Sequence, residues 1–168
     1  LGPLGPAVSR DGGANWRYLN EGGHADKLSF SFDFGKADRE VCFAHGIPYG
    51  EREWAELVSA VKSNPRVRLD SLCRSQSGKY DVDMMTVEPS GAKAVEWLFA
   101  FTARHHSCEV SANPVMEGLI LASLSDDETG RWVRKNAKCI FIPFMDKDGV
   151  VRGDQGKNRR PWDYNRDY

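Results

Sequence analysis

Two short runs in which nearly every residue is apolar, Trp97-Leu-Phe-Ala-Phe-Thr102 and Cys139-Ile-Phe-Ile142, constrain the fold more than any other feature of the chain. A strand that is apolar on both faces belongs inside a sheet covered on both sides, the usual situation of parallel strands in α/β proteins. Between the runs, Met116, Leu119, Ile120 and Leu124 recur at helical spacing and predict a helix from about Asn113 through Leu124 with those four residues inward. Pro114 fits such a helix only in its first turn, where a missing N–H is harmless. Trp132 and Val133 then begin a short helix or an extended link. Strands alternating with helices make this region α/β.

The pattern continues upstream. Glu51 to Lys62 places Trp54, Leu57, Val58 and Val61 on one helical face, and Asn64-Pro65 ends that helix. Val67–Cys73 and Tyr80–Val87 read as strands around a Ser75-Gln-Ser-Gly78 turn. Residues from about Asn15 to Gly46 instead read as short strands: Trp16–Tyr18, Lys27–Phe34 and Glu40–Ala44. The middle one alternates strictly, with Leu28, Phe30, Phe32 and Phe34 on one face. Such a row wants a partner sheet that three strands hardly supply. Residues 1–46 are therefore expected to be the C-terminal part of a small accessory β-sandwich with a flexible, turn-rich start at Leu-Gly-Pro-Leu-Gly-Pro. Residues 47–168 are expected to form the α/β part.

The chemistry gathers where the first apolar run ends. His106-Ser-Cys-Glu109 puts an imidazole and a carboxylate three residues apart, a spacing that shares a face on a helical turn. Nitrogen plus oxygen ligation suits Zn²⁺, which takes a third protein ligand and keeps an open position when catalytic. A strand-to-helix junction is also where open α/β sheets carry their sites. Downstream lie a polar turn, Asp146-Lys-Asp-Gly149, and a second polar cluster, Asp163-Tyr-Asn-Arg166.

In this order the three elements resemble those of the zinc metallocarboxypeptidases, and most closely the branch of the cytosolic carboxypeptidases. That family carries His-Pro-Gly-Glu after a strand, then Asn-Pro-Asp-Gly, then Asp-Leu-Asn-Arg, where this chain has the three segments just quoted. Val41 to Tyr49 resembles the same branch's junction into its catalytic domain. The resemblance covers roughly residues 28 to 168 and implies a partial zinc-carboxypeptidase-like mixed sheet with flanking helices. It implies that His106 and Glu109 are two of three zinc ligands, with His105 ranking second to His106. Asn165 and Arg166 would hold the terminal carboxylate of a peptide or protein substrate, a task for which the planar Arg fork is apt. The reaction implied is zinc-dependent hydrolysis of the C-terminal amide bond.

The departures are as specific. The family's third ligand is a later His and its general base a later Glu, and both are expected downstream of Tyr168, since no His follows His106. The Arg that polarises the scissile carbonyl in many relatives is not matched outright; Lys157 and Arg159 both stand near its position. Two further readings share the motifs: a non-catalytic carboxylate-binding module of the same fold, and an amidohydrolase of the acylamino-acid deacylase type.

Composition narrows the partners. A formal net charge of −1 supplies no basic excess for nucleic acid, and the local run Lys157-Asn-Arg-Arg160 reads as a solvated loop. No apolar run approaches the roughly 20 residues that span a bilayer. Cys42, Cys73, Cys108 and Cys139 form no C-x-x-C pair, so reduced thiols are expected, and with no signal region a cytoplasmic setting.

Overall fold

The computed structural model describes residues 4–20, 29–91 and 95–167. The chain divides into two compact units, Leu1–Pro48 and Tyr49–Tyr168.

The first unit holds three antiparallel strands, β1 (Ala7–Ser9), β2 (Arg17–Tyr18) and β3 (Cys42–Ala44), in the order β2-β1-β3. The central strand arises in the stretch that the Gly-Pro punctuation marks as linker. Its three residues are all buried, and pairing on both sides satisfies its backbone. Part of the alternating strand expected over Lys27–Phe34 lies outside the described residues, and Ser29–Phe34 is irregular rather than a strand. Its aromatics are used in another way. Phe30 and Phe32 set their rings 5.2 and 5.0 Å from Phe43, and the Arg10 guanidinium lies 4.5 Å from the centre of the Phe32 ring. Edge and tilted ring contacts of this kind need no ladder.

The second unit is a mixed sheet with flanking helices, as expected. It runs α1 (Glu51–Val61), β4 (Val67–Arg74), β5 (Asp81–Val87), β6 (Trp97–Thr102), α2 (Ala112–Leu124), α3 (Glu128–Asn136), β7 (Ala137–Ile142) and α4 (Lys147–Arg152). Strand order is β4-β5-β7-β6, with β6 and β7 parallel and the other pairs antiparallel. Glu53 accepts from Gly50 N–H at 2.7 Å to start α1, which buries Trp54, Leu57 and Val61. Asp127 caps α3 through Gly130 N–H at 2.9 Å, so Trp132 and Val133 lie within a helix. The core closes around fully buried Met85, Ile120, Phe141 and Phe144.

Two expectations are corrected here. β6 is an edge strand, not an interior one: β7 pairs along one side of it, and Trp97 and Leu98 are 47% and 64% exposed. The run is more apolar than its place in these residues requires, whereas β7, flanked on both sides, buries Ala137, Cys139 and Phe141. In α2, Leu119 faces outward; Asn113, Met116, Ile120 and Ser123 take the buried face.

Strand direction places the site. The carboxyl ends of β6 and β7 lie at the end of the sheet where β5 begins, because Met85 pairs with Phe141 in antiparallel register. The Ser75–Tyr80 turn between β4 and β5 therefore joins the loops that follow β6 and β7. Among the described residues, no helix is long and apolar enough to cross a membrane.

Candidate functional site

Beyond Thr102 the β6–β7 pairing extends by backbone hydrogen bonds from Ala103 to Ile142, Met145 to Ala103 and Asp146 to Arg104. The chain then turns through Arg104, a non-glycine residue at φ 58°. Such a conformation costs of order 1–3 kcal/mol unless its surroundings hold it, and here the side chain does so. Buried Arg104 donates from Nε to Ser107 O at 2.5 Å and from Nη1 to Tyr49 O at 2.7 Å and Asn113 Oδ1 at 3.2 Å. The loop is thus folded around its own guanidinium.

On that loop His106 is 1% exposed and lies between two carboxylates. Its Nε2 is 3.0 Å from Asp163 Oδ1 and its Nδ1 is 2.9 Å from Glu109 Oε1. Asp163 is itself fixed, accepting from Asn165 N–H at 3.0 Å and Asn158 N–H at 2.8 Å. Those backbone donors, with His106, hold its carboxyl below the usual range. An ionised Asp163 requires the ring proton on Nε2, which leaves the Nδ1 lone pair facing a Glu109 oxygen. Two lone pairs at that distance are reconciled by a second ring proton or by a cation. The donor set, one imidazole nitrogen and one carboxylate oxygen with the ring oriented from behind by Asp163, fits zinc. The Glu109 carboxyl is held below its usual range, first by the hydrogen bond to His106 and more weakly by the charge of Lys157. Among the described residues, no group of three or more His, Cys, Asp and Glu side chains is arranged to hold a metal ion.

The alternative ligand is otherwise engaged. His105 sets Nδ1 2.9 Å from Tyr164 O and Nε2 2.8 Å from Thr102 Oγ1, so its ring tethers the Asp163–Arg166 segment to the end of β6. Cys108 is exposed, and its N–H donates to Gln155 O. The second cluster forms a tight turn in which Arg166 and Asp167 donate their N–H groups to Asp163 O. Arg166 lines a pocket of about 210 Å³ together with Arg159, Arg160 and Asp163, which places that pocket one residue from His106. Asn165 is exposed and contributes its backbone N–H to Asp163.

Beneath lie charged groups that motif reasoning left without roles. Asp146 caps α4 through Gly149 N–H at 3.0 Å and pairs with Arg159. Burial pushes its carboxyl up, against the pull of the Gly149 N–H and Arg159. Asp148 accepts from Ser77 N–H at 2.8 Å and from the hydroxyls of Ser77 and Ser75 at 2.5 and 3.1 Å. Lys147 bridges Asp83 at 2.8 Å and Glu51 at 2.9 Å. The Asp146-Lys-Asp-Gly149 spacing signalled a turn here; which partner each charge meets is set by segments far away in sequence.

A comparison with known protein-family profiles finds no match. Among individual proteins, the chain is 28% identical over 150 residues to cytosolic carboxypeptidase 2 of Xenopus tropicalis, covering 84% of this chain and 15% of that protein. It is 28% identical over 180 residues to cytosolic carboxypeptidase 6 of Caenorhabditis elegans, covering 99% of this chain and 39% of that one. Among solved structures, a metallo-carboxypeptidase from Pseudomonas aeruginosa, in complex with (2-guanidinoethylmercapto)succinic acid, superposes with a TM-score of 0.70 at 25% identity, covering 94% of this chain and 41% of that one. A metallo-carboxypeptidase from Burkholderia cenocepacia gives a TM-score of 0.70 at 21% identity, with coverage of 91% and 40%. The chain thus spans well under half the length of each of these proteins.

Proposed function

We propose that this chain, which belongs to the metallocarboxypeptidase family, supplies part of the active site of a zinc-dependent enzyme that hydrolyses the C-terminal amide bond of a peptide or protein. Residues 47–168 would be the N-terminal half of its α/β domain, and residues 1–46 the end of an accessory β-sandwich. The observation that carries this reading is the convergence of His106 Nδ1 and Glu109 Oε1 to 2.9 Å, with the far side of the ring fixed on Asp163.

In this reading His106 and Glu109 are two of the zinc ligands, the roles that the family resemblance implies for them. Zinc bound by the complete set supplies Lewis acidity for an amide carbonyl. The chain's own groups orient and charge that position. Asp163 keeps the ring proton on Nε2 and so presents Nδ1 as a lone pair. Glu109 contributes negative charge beside the metal position. Arg166, exposed at the mouth of the neighbouring pocket, offers a planar fork to the terminal carboxylate, with Asn165 beside it. Because the similar proteins are cytosolic carboxypeptidases, a cytoplasmic setting is part of the proposal.

Zinc titration tests the reading directly. The parent chain should bind Zn²⁺ and His106→Ala should not; equal binding by both would refute it. Arg160 and Arg166, both exposed on the pocket, also favour a second reading, in which the chain binds carboxylates without catalysis. Binding of a peptide C-terminus that survives chelator treatment and fails in Arg166→Ala would select that one.

A further inference from the structure

A chain of polar contacts beneath the His106 turn has no part in the reading above. Arg159 donates from Nε to Asp146 Oδ2 at 2.9 Å, and its Nη2 pairs with the same oxygen and with Asp154 Oδ1 at 2.6 Å. Asp154 in turn accepts from Ser107 Oγ, at 2.7 Å on its carbonyl oxygen and 3.0 Å on Oδ1. Ser107 is the residue next to His106. The Asp146 side chain is fully buried, and that of Arg159 is 10% exposed.

Two glycines keep this assembly tight. A Cβ at Gly156 would stand 2.6 Å from Ser107 N, and one at Gly149 would collide with Arg159 Nη2 and Asp146 Oδ2. A guanidinium committed to two carboxylates in such a space is not free to reach a substrate carbonyl. We infer that Arg159 is a positioning residue: it clamps Asp146 and Asp154 together and, through Ser107, holds the loop on which His106 Nδ1 and Glu109 Oε1 converge. Of the two cations that the sequence offers for polarising a carbonyl, Lys157 then remains, exposed at the surface. The inference rests on the reading of His106 and Glu109 as zinc ligands.

The test is a Zn²⁺ titration of the 168-residue chain in competition with a chromogenic chelator, using Arg159→Gln, Arg159→Lys, Ser107→Ala, the Arg159→Gln/Ser107→Ala double variant and His106→Ala. Groups that orient a ligand typically change metal affinity 10–100-fold. Arg159→Gln and Ser107→Ala should each weaken Zn²⁺ about tenfold, and the double variant should lose less than the product of the two, since they act in one chain of contacts. Arg159→Lys, which keeps the charge, should recover part of the loss. If His106→Ala loses zinc while Arg159→Gln and Ser107→Ala stay within about twofold of the parent, the positioning role is overturned and the zinc reading stands. If His106→Ala binds as the parent does, the zinc reading falls and takes this inference with it. Near-UV circular dichroism identifies variants that keep the fold. Should Arg159→Gln unfold, Ser107→Ala leaves the buried ion pair in place and decides alone: unchanged affinity overturns the inference.

Discussion

The imidazole of His106 is held from behind by Asp163, with 3.0 Å between Nε2 and Oδ1 and both side chains almost completely buried. A carboxylate in that position fixes the tautomer and the ring plane. Asp163→Asn should therefore weaken Zn²⁺ binding 10–100-fold while the chain stays folded, because the amide can still accept from Nε2–H but carries no charge. Asp163→Ala should in addition lose about 1–3 kcal/mol of stability, since it leaves a buried ring N–H unpaired. Chelator competition and urea unfolding separate the two effects.

Arg166 lines the pocket beside Asp163, and its guanidinium donates to Asn165 O at 3.1 Å. A bidentate charge-assisted contact contributes about 1.5–3 kcal/mol. Arg166→Ala should weaken binding of a peptide with a free C-terminal carboxylate by roughly 10- to 100-fold and leave a C-terminally amidated peptide unaffected. Fluorescence anisotropy with the matched pair of peptides reads the difference.

Gly156 combines φ +83° with contact against the Ser107 backbone. Gly156→Ala meets strain and collision together, and should destabilise the second unit by about 2–4 kcal/mol, well above the typical cost of about 1 kcal/mol for a point substitution. Gly78, at φ +71° with open space around it, should tolerate alanine better. A thermal melt of the two variants side by side is enough to check the order.

The acid limb of stability should report Asp148. Burial pushes its carboxyl up, but the Ser77 hydroxyl and N–H and the Ser75 hydroxyl outweigh this and hold it below its ordinary value of 3.8. A depressed carboxylate contributes stability that is fully present above the unfolded value and is lost as pH falls through the folded one. Asp148→Asn should lower stability at pH 7 and flatten its decline below about pH 4. Lys147 should act at the other end. Burial lowers its ammonium, yet Asp83 and Glu51 leave it above 10.5, so its contribution persists to that pH and fades as pH rises further. Unfolding curves across both ranges check the two signs.

What could be read from the sequence was local. Trp54, Leu57 and Val61 form a stripe that only a helix can bury, and Pro114 admits one helix start, so α1 and α2 are legible to within a residue or two. The pair His106 and Glu109 is legible because three-residue spacing on a turn brings side chains together. The parts that were missed depend on distant partners. β1 is three residues long and becomes a strand by pairing with β2 and β3. Arg104 looks like any loop arginine until Tyr49 and Asn113 accept from it. The apolar character of β6 speaks of burial without saying on how many sides a neighbour stands. His105 and His106 are adjacent and chemically equivalent; their roles part because Asp163 lies behind one and the Tyr164 carbonyl beside the other.

The parallel register of β6 on β7, Trp97 opposite Ala137 through Thr102 opposite Ile142, joins segments separated by two helices. Closing so long a loop is slow compared with forming the β4–β5 hairpin, whose partners are near in sequence. The His106 loop hangs from the end of that late register, through Ala103 to Ile142 and Asp146 to Arg104. On loop-closure grounds the chain should therefore acquire its hairpin scaffold before its chemistry, the polar groups of the site coming together only with the long-range register.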